Sequence, residues 1–315
     1  MPNPTVRRPH RARATAAAAT GAALVTLLGG CGGAGSAAAP NVERPSAAAQ
    51  AVAKNVAGLP KTDPATLATL DRVLAGPHRS DANRARDQYR HPRQTLEFFG
   101  FRQDQTVLEI WPGAGGWYTE VLAPTLKEHG RYIAADWDPH SDLKFVQDGV
   151  KAFQAKLDAD PERYGKVEVT ALMAPNALAP VTPGSVDLVL TFRNLHNWLA
   201  QGTAPAMLKA IYESLKPGGV LGLVDHRASP AAPVDPAAKT GYVNEQYAID
   251  LATAAGFEYV GSSEVNANPK DTRDWELGVW TLPPTYRLGD KDREKYAAVG
   301  ESDRFTLKFR RPPAK

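Results

Sequence analysis

Three short stretches of this chain hold residue types that can do chemistry. The first is VLEIWPGAGGW, residues 107–117, where a β-forming run ends in Glu109-Ile110 and passes into Gly113, Gly115 and Gly116. Glycines in such a turn let the chain reverse sharply and bring bare backbone against a ligand, here one of the nucleotide type. Trp111 is out of keeping, because the largest side chain available stands where a turn of this kind usually places its first glycine. The second stretch is Asp136-Trp137, closing the β-rich run RYIAAD with an acid 27 residues beyond Glu109. The third is a pair of polar clusters: Arg193, Asn194, His196 and Asn197 after VDLVLTF, and Asp225, His226 and Arg227 after GVLGLVD. A histidine titrates near neutrality and suits proton transfer. The two arginines either bind an anion or pair with local carboxylates.

Other chemistries find no support. HExxH, paired CxxC and GxxxxGK[ST] are all absent, so neither zinc hydrolysis nor P-loop chemistry is expected and no metal ligand set is assigned. Asp63, Asp71, Asp81 and Asp87 are spread over helical segments without calcium-loop spacing.

The elements that must position these residues alternate. Helices are expected from Asp63 to Leu74, through SDANRARDQYR at 80–90, and in PRQTLEFFGF, with Pro92 at a first helical position and Gly100 as a stop. Strands follow at 106–110, 131–136, 166–172, 186–192, 219–225, 258–265 and 304–310. Between them, helical patterns occupy 117–130 (with a possible kink at Pro124), 141–157, the segment holding Leu208, Ile211 and Leu215, and 244–257. Lys216-Pro217-Gly218-Gly219 reads as a strong helix stop. This alternation implies βαβ units and a mainly parallel sheet. In such sheets ligands bind beyond the carboxyl ends of the strands, where strand order reverses, and the glycine cluster falls there.

The succession VLEIWPGAGGWYTEVLAP, RYIAADWDP, GSVDLVLTFRNLHNW, LKPGGVLGLVDH and a terminal RFTLKF strand resembles class I S-adenosylmethionine-dependent methyltransferases over roughly residues 90–315. The resemblance implies an α/β, doubly wound, Rossmann-like seven-stranded sheet whose last strand is antiparallel, with S-adenosyl-L-methionine as cofactor. It implies that Glu109 meets the cofactor's ammonium group or caps the turn, and that backbone at Gly113 and Gly115 passes its methionyl and ribose parts. Asp136 would accept from the ribose hydroxyls, with Trp137 over the adenine or in the core. His196, His226, Arg193 and Asn194 are the catalytic candidates; a base is needed only if the methyl acceptor carries a proton. His196 also has a purely structural reading in this family's loop. The chain departs from the pattern at Trp111, which either stacks on a sulfonium or fills the methionine pocket. It departs again at Pro175, where an acid for the adenine amino group is common; neighbouring Asn176 is the candidate substitute. No Asn-Pro-Pro-Tyr-type motif follows the fourth strand, so base or amide methylation is not favoured.

Charge and the N-terminus complete the reading. The formal charge of +3 comes from a leader: residues 1–30 hold Arg7, Arg8, Arg11 and Arg13 and no acid, and elsewhere 33 basic residues face 34 acidic ones. Nothing suggests a nucleic-acid partner. Arginines before an apolar, alanine-rich run from Ala14 to Leu28 form a signal-peptide pattern, too short for a membrane span. Leu28-Gly29-Gly30-Cys31 resembles the lipobox of bacterial lipoproteins, and Cys31 is the only cysteine. The expected organisation is therefore a signal peptide with lipobox at 1–31, a flexible linker at 32–62 and a methyltransferase-like domain at 63–315. That domain has N-terminal helices at 63–104 and an insertion at 266–303. The expected location is the cell envelope, periplasm-facing and lipid-anchored at Cys31, or secreted, with a small-molecule or envelope acceptor. A cytoplasmic enzyme and a non-catalytic binding or interaction protein on the same fold are the alternatives.

Overall fold

The computed structural model describes residues 58–314. The expected leader, Cys31 and nearly all of the linker lie outside the described residues. Asp63 accepts from the Thr66 backbone N–H at 2.9 Å and so caps α1 (Pro64–Leu74), with proline in the first turn where its missing N–H costs nothing. SDANRARDQYR forms two single-turn helices, α2 (Asp81–Arg84) and α3 (Asp87–Arg90), rather than one. Next comes α4 (Pro92–Phe99), closed by Gly100 at φ 75°. A Cβ there would lie 2.2 Å from the Pro60 carbonyl oxygen, so space as well as dihedral requires glycine.

The alternating part runs β1 (Thr106–Ile110), α5 (Thr119–Leu126), β2 (Arg131–Asp136), α6 (Lys144–Asp158), α7 (Pro161–Tyr164) and β3 (Glu168–Ala171). It continues through β4 (Val186–Phe192), α8 (Leu195–Ala200), α9 (Ala204–Ser214), β5 (Leu215–His226), α10 (Glu245–Ala254), β6 (Glu258–Ser263), α11 (Arg293–Val299) and β7 (Arg304–Arg310). Strand order is β3-β2-β1-β4-β5-β7-β6, with β7 antiparallel to both neighbours and the other pairings parallel. This is the doubly wound, seven-stranded α/β sheet with an antiparallel last strand that the resemblance implied. Strand order reverses between β1 and β4, which opens a crevice at their carboxyl ends. Both sheet faces are covered: Leu108 and Ile110 join the apolar layer with α8, α9 and α10, and Val107 joins the layer with α1, α4, α5 and α6. Burial on both sides is why the strands read as apolar runs rather than as alternating ones.

Two local outcomes differ from expectation. Pro124 stays inside α5, where it cannot donate to the Glu120 carbonyl one turn back; the His78 ring, 2.9 Å from that oxygen, takes the missing partner's place. Burial lowers the His78 pKa, consistent with a neutral ring donating through Nε2. α9 ends at Ser214, just before Lys216-Pro217-Gly218-Gly219 as that stop signal implies, but β5 begins at Leu215 rather than at 219, with a register irregularity opposite Val186–Leu188. The 266–303 insertion contains a 3-10 turn at Gly278–Thr281 and α11, and folds back beside the start of β7. It is pinned by buried Asp271, which accepts from the Tyr242 hydroxyl at 2.9 Å, the Trp275 indole at 2.7 Å and the Asp303 N–H at 2.8 Å.

Candidate functional site

A cavity of about 230 Å³ lies over the carboxyl ends of β1, β4 and β5. Its floor comes from Glu109, Trp111, Pro112 and Gly113; one wall from Phe192, Arg193, Asn194, His196 and His226. Arg90, Trp117 and Tyr118, with Trp280, Pro284, Glu301 and Ser302 of the 266–303 segment, complete the lining. The fold thus brings together most of the predicted site residues, but not all. Asp136, Gly115 and Asn176 do not line this cavity, and Asn176 is exposed in a turn beyond β3, between the bridged Met173 and Ala177.

Glu109 is fully enclosed. Burial raises its pKa to about 8 despite a hydrogen bond from the Tyr132 hydroxyl, which in turn contacts Thr119 Oγ1 at 2.9 Å. The carboxyl is therefore protonated at neutral pH and presents no fixed negative charge. Trp111 adopts φ 48°, so the position does demand the left-handed backbone of a glycine. For a non-glycine residue that costs roughly 1–2 kcal/mol. The indole recovers more than this by burial, being 8% exposed, and by donating Nε1–H to the Leu172 carbonyl at 2.7 Å. It meets the Trp137 and Trp198 rings edge-on, each at 5.9 Å. The side chain thus extends from the end of β1 past the end of β2 to the segment after β3. Asp136, at the end of β2, is buried, has its pKa raised by that burial, and keeps Oδ2 without a hydrogen-bond partner. A Cβ added at Gly113 or Gly115 would meet nothing within 4 Å, so the turn leaves bare backbone facing open space.

The two polar clusters meet in one unit. His196 lies in the first turn of α8 and its Nδ1 is 2.9 Å from Asp225 Oδ1, while its backbone N–H donates to Oδ2 at 3.0 Å. Asp225 is completely buried; burial works to raise its pKa, but the charge and hydrogen bonds of His196 outweigh this and hold it low. Nδ1 faces the carboxylate, which leaves Nε2 on the far side of a ring that borders the cavity. His226 packs beside it with ring centroids 5.2 Å apart, is kept neutral by burial, and pairs through Nδ1 with the Ser302 hydroxyl. Asn194 spends its amide group on the Ile110 carbonyl (2.8 Å) and Thr191 Oγ1 (3.2 Å), tying β4 to β1, a positioning role. His196, Asp225 and His226 each offer a ligand atom within 4.8 Å of the others, a possible cation set. Both Asp225 oxygens already accept N–H groups, however.

The two arginines divide. Arg227 is neutralised by Asp303 (3.0 Å) and Glu264 (2.6 Å), with Glu245 at 3.4 Å. Arg193, at φ 63°, borders the cavity and its guanidinium makes no hydrogen bond or ion pair among the described residues. Sequence reasoning missed Arg90, Tyr132, Trp280, Glu301 and Ser302. Only Glu301-Ser302, placed directly before the final strand, carried a usable signal.

No family model matches the chain, and no curated protein matches it in sequence. Solved structures resemble it in fold. A SAM-dependent methyltransferase from Aquifex aeolicus matches with TM-score 0.48 and 18% identity over 79% of this chain and 98% of its own. The [4+2]-cyclase SpnF matches with TM-score 0.49 and 18% identity over 81% and 98%. Phosphoethanolamine N-methyltransferase 2 of Haemonchus contortus, in complex with S-adenosyl-L-methionine, gives 0.46 and 15% over 71% and 53%. At these levels the likeness concerns architecture alone.

Proposed function

We propose that this chain is an enzyme of the S-adenosylmethionine-dependent methyltransferase type, acting on a small molecule held in the cavity over β1, β4 and β5. The observation that carries this reading is the His196–Asp225 pair. An ionised, buried carboxylate fixes the proton of His196 on Nδ1 and leaves Nε2 as a base toward the cavity. Nε2 takes the proton of a substrate hydroxyl or amine, and Asp225 stabilises the imidazolium that forms. His226 and Ser302 offer an uncharged donor and acceptor beside it.

S-adenosylmethionine, when bound, supplies an electrophilic methyl group. Asp136, whose Oδ2 lacks a partner, would hold the ribose, and Gly113, Gly115 and the Glu109 carboxyl would border the methionyl part. One residue opposes this fit. The Trp111 indole extends toward Leu172, past the end of β2 that carries Asp136. The cavity is also smaller than the ~300–1,000 Å³ usual for sites of drug-sized ligands. Adenosine enters only if the indole leaves the Leu172 carbonyl. That obstruction favours a second reading, a binding protein on the same fold that uses no such cofactor.

Thermal unfolding of the full chain with S-adenosylmethionine or S-adenosylhomocysteine separates the two. On the first reading, ligand at a hundredfold excess over its Kd adds about 2.7 kcal/mol, a rise of roughly 5–11 °C. No shift in the natural chain at millimolar ligand, together with a shift in Trp111→Gly, overturns it in favour of the second. The acceptor is read as a small molecule or envelope component, and Cys31 as a lipid anchor that places the domain in the envelope.

A further inference from the structure

One wall of the cavity carries more positive charge than the protein neutralises. Glu301 accepts from Arg86 at 2.7 Å and from Arg90 Nε at 3.0 Å, and lies 3.1 Å from Arg304. Burial works to raise the Glu301 pKa, yet these arginines and Arg193 hold it at about 2. Three guanidinium groups therefore share one carboxylate, and Arg193 adds a fourth positive charge that no ion pair among the described residues offsets. The other acids at hand do not help: Glu109 is protonated, and Asp225 is committed to His196.

The excess is concentrated where the cavity is. Arg90 has a side chain only 3% exposed, borders the cavity and leaves Nη2 buried with no partner. Its guanidinium carbon lies over the Trp117 ring, 4.8 Å from the centroid. Arg193 lines the same cavity on a left-handed backbone, held by its N–H to the Val224 carbonyl at 2.7 Å. A buried guanidinium N–H left without an acceptor is costly, and Arg90 Nη2 is such a group. Planar guanidinium forks with free N–H groups match the oxygens of carboxylate and phosphate. A cation at His196, Asp225 and His226 would meet this same field as repulsion.

We propose that Arg193 and Arg90 form an anion site in the cavity wall, and that the molecule handled there carries a carboxylate or phosphate group set against them, its reacting end toward His196. This rests on the cavity being the reaction site proposed above, but not on the identity of the cofactor. The site selects for an oxyanion at one end of the substrate and leaves the chemistry to the other.

The test uses the full chain without cofactor. Inorganic phosphate and acetate are titrated separately by calorimetry, with chloride at matched ionic strength as the control. Saturable binding of at least one of them is expected, and the tighter of the two identifies the class of headgroup. Arg193→Asn, which suits the left-handed backbone, should weaken that binding at least tenfold, and Arg193→Lys by less. Saturation by neither anion, or unchanged affinity in Arg193→Asn, overturns the proposal. Because no S-adenosylmethionine is present, failure here leaves the cofactor experiment standing, and failure there leaves this one.

Discussion

Glu109 shows how much one enclosed side chain can decide. Its carboxyl ionises near the ordinary value in the unfolded chain but only at about 8 in the folded one, because burial outweighs the Tyr132 hydrogen bond. A raised carboxyl pKa favours folding only while both states are protonated. The stability it contributes is complete below about pH 4.5 and is lost progressively as pH rises toward 8. At pH 7 the resulting penalty is on the order of 3 kcal/mol. Glu109→Gln keeps an oxygen for Tyr132 and removes the titration. Urea unfolding should therefore find the variant more stable than the natural chain at pH 7, by about that amount, and equal to it near pH 4. Equal stabilities at both pH values would mean that the group is ionised in the fold. Such a penalty has a use at a ligand site, since a nearby ammonium group would bring the carboxyl back toward its charged form.

At the scale of elements, the insertion and the final strand complete the site that β1, β4 and β5 begin. Glu301, delivered by the insertion just before β7, is the shared partner of three arginines that come from α3, from the segment before it and from β7 itself. Glu301→Gln should cost about 3–5 kcal/mol in urea unfolding, the effect of leaving buried charges unpaired, and added phosphate should recover part of it. A loss below 1 kcal/mol would mean that the cluster is solvated. The strands were the legible part of this arrangement. β1, β2, β4 and β7 fall where the apolar β-rich runs place them, because both faces of the sheet are buried and Gly, Pro or a polar cluster bounds each run. LKPGG marked the end of α9 but hid the start of β5, because its two glycines lie in an irregular strand. The site was half legible. Arg193, His196, Asp225 and His226 stand at strand ends, where topology assigns chemistry, but the His196–Asp225 bond joins residues 29 apart through the sheet and leaves no local pattern. Arg90 belongs to a one-turn helix that looks like solvent-facing charge, and Glu301 reaches it across 211 residues. Asp136 was placed correctly at the end of β2, yet Trp111, a turn residue by position and a core residue by burial, separates the expected nucleoside hollow from the cavity that exists.

For the whole molecule, the question is where such a cavity works. Without the arginines of the leader the chain is nearly balanced in charge, so its excess positive charge is a local property of one cavity wall rather than a surface field for nucleic acid. Among the described residues no helix is long and apolar enough to cross a membrane. Attachment, as proposed, rests on Cys31, a single thiol behind an apolar run and ahead of an alanine-, serine- and proline-rich stretch. One acyl chain gives only marginal membrane binding, whereas two or more hold a protein stably. If Cys31 carries a multiply acylated anchor, the natural chain should sediment with membranes and partition into detergent. Cys31→Ser should move it to the soluble fraction while leaving the unfolding of the domain unchanged. Unchanged fractionation of the variant would remove the anchor. It would also weaken the case for a cofactor-free site, because S-adenosylmethionine is made in the cytoplasm and an envelope location is what would separate the domain from it.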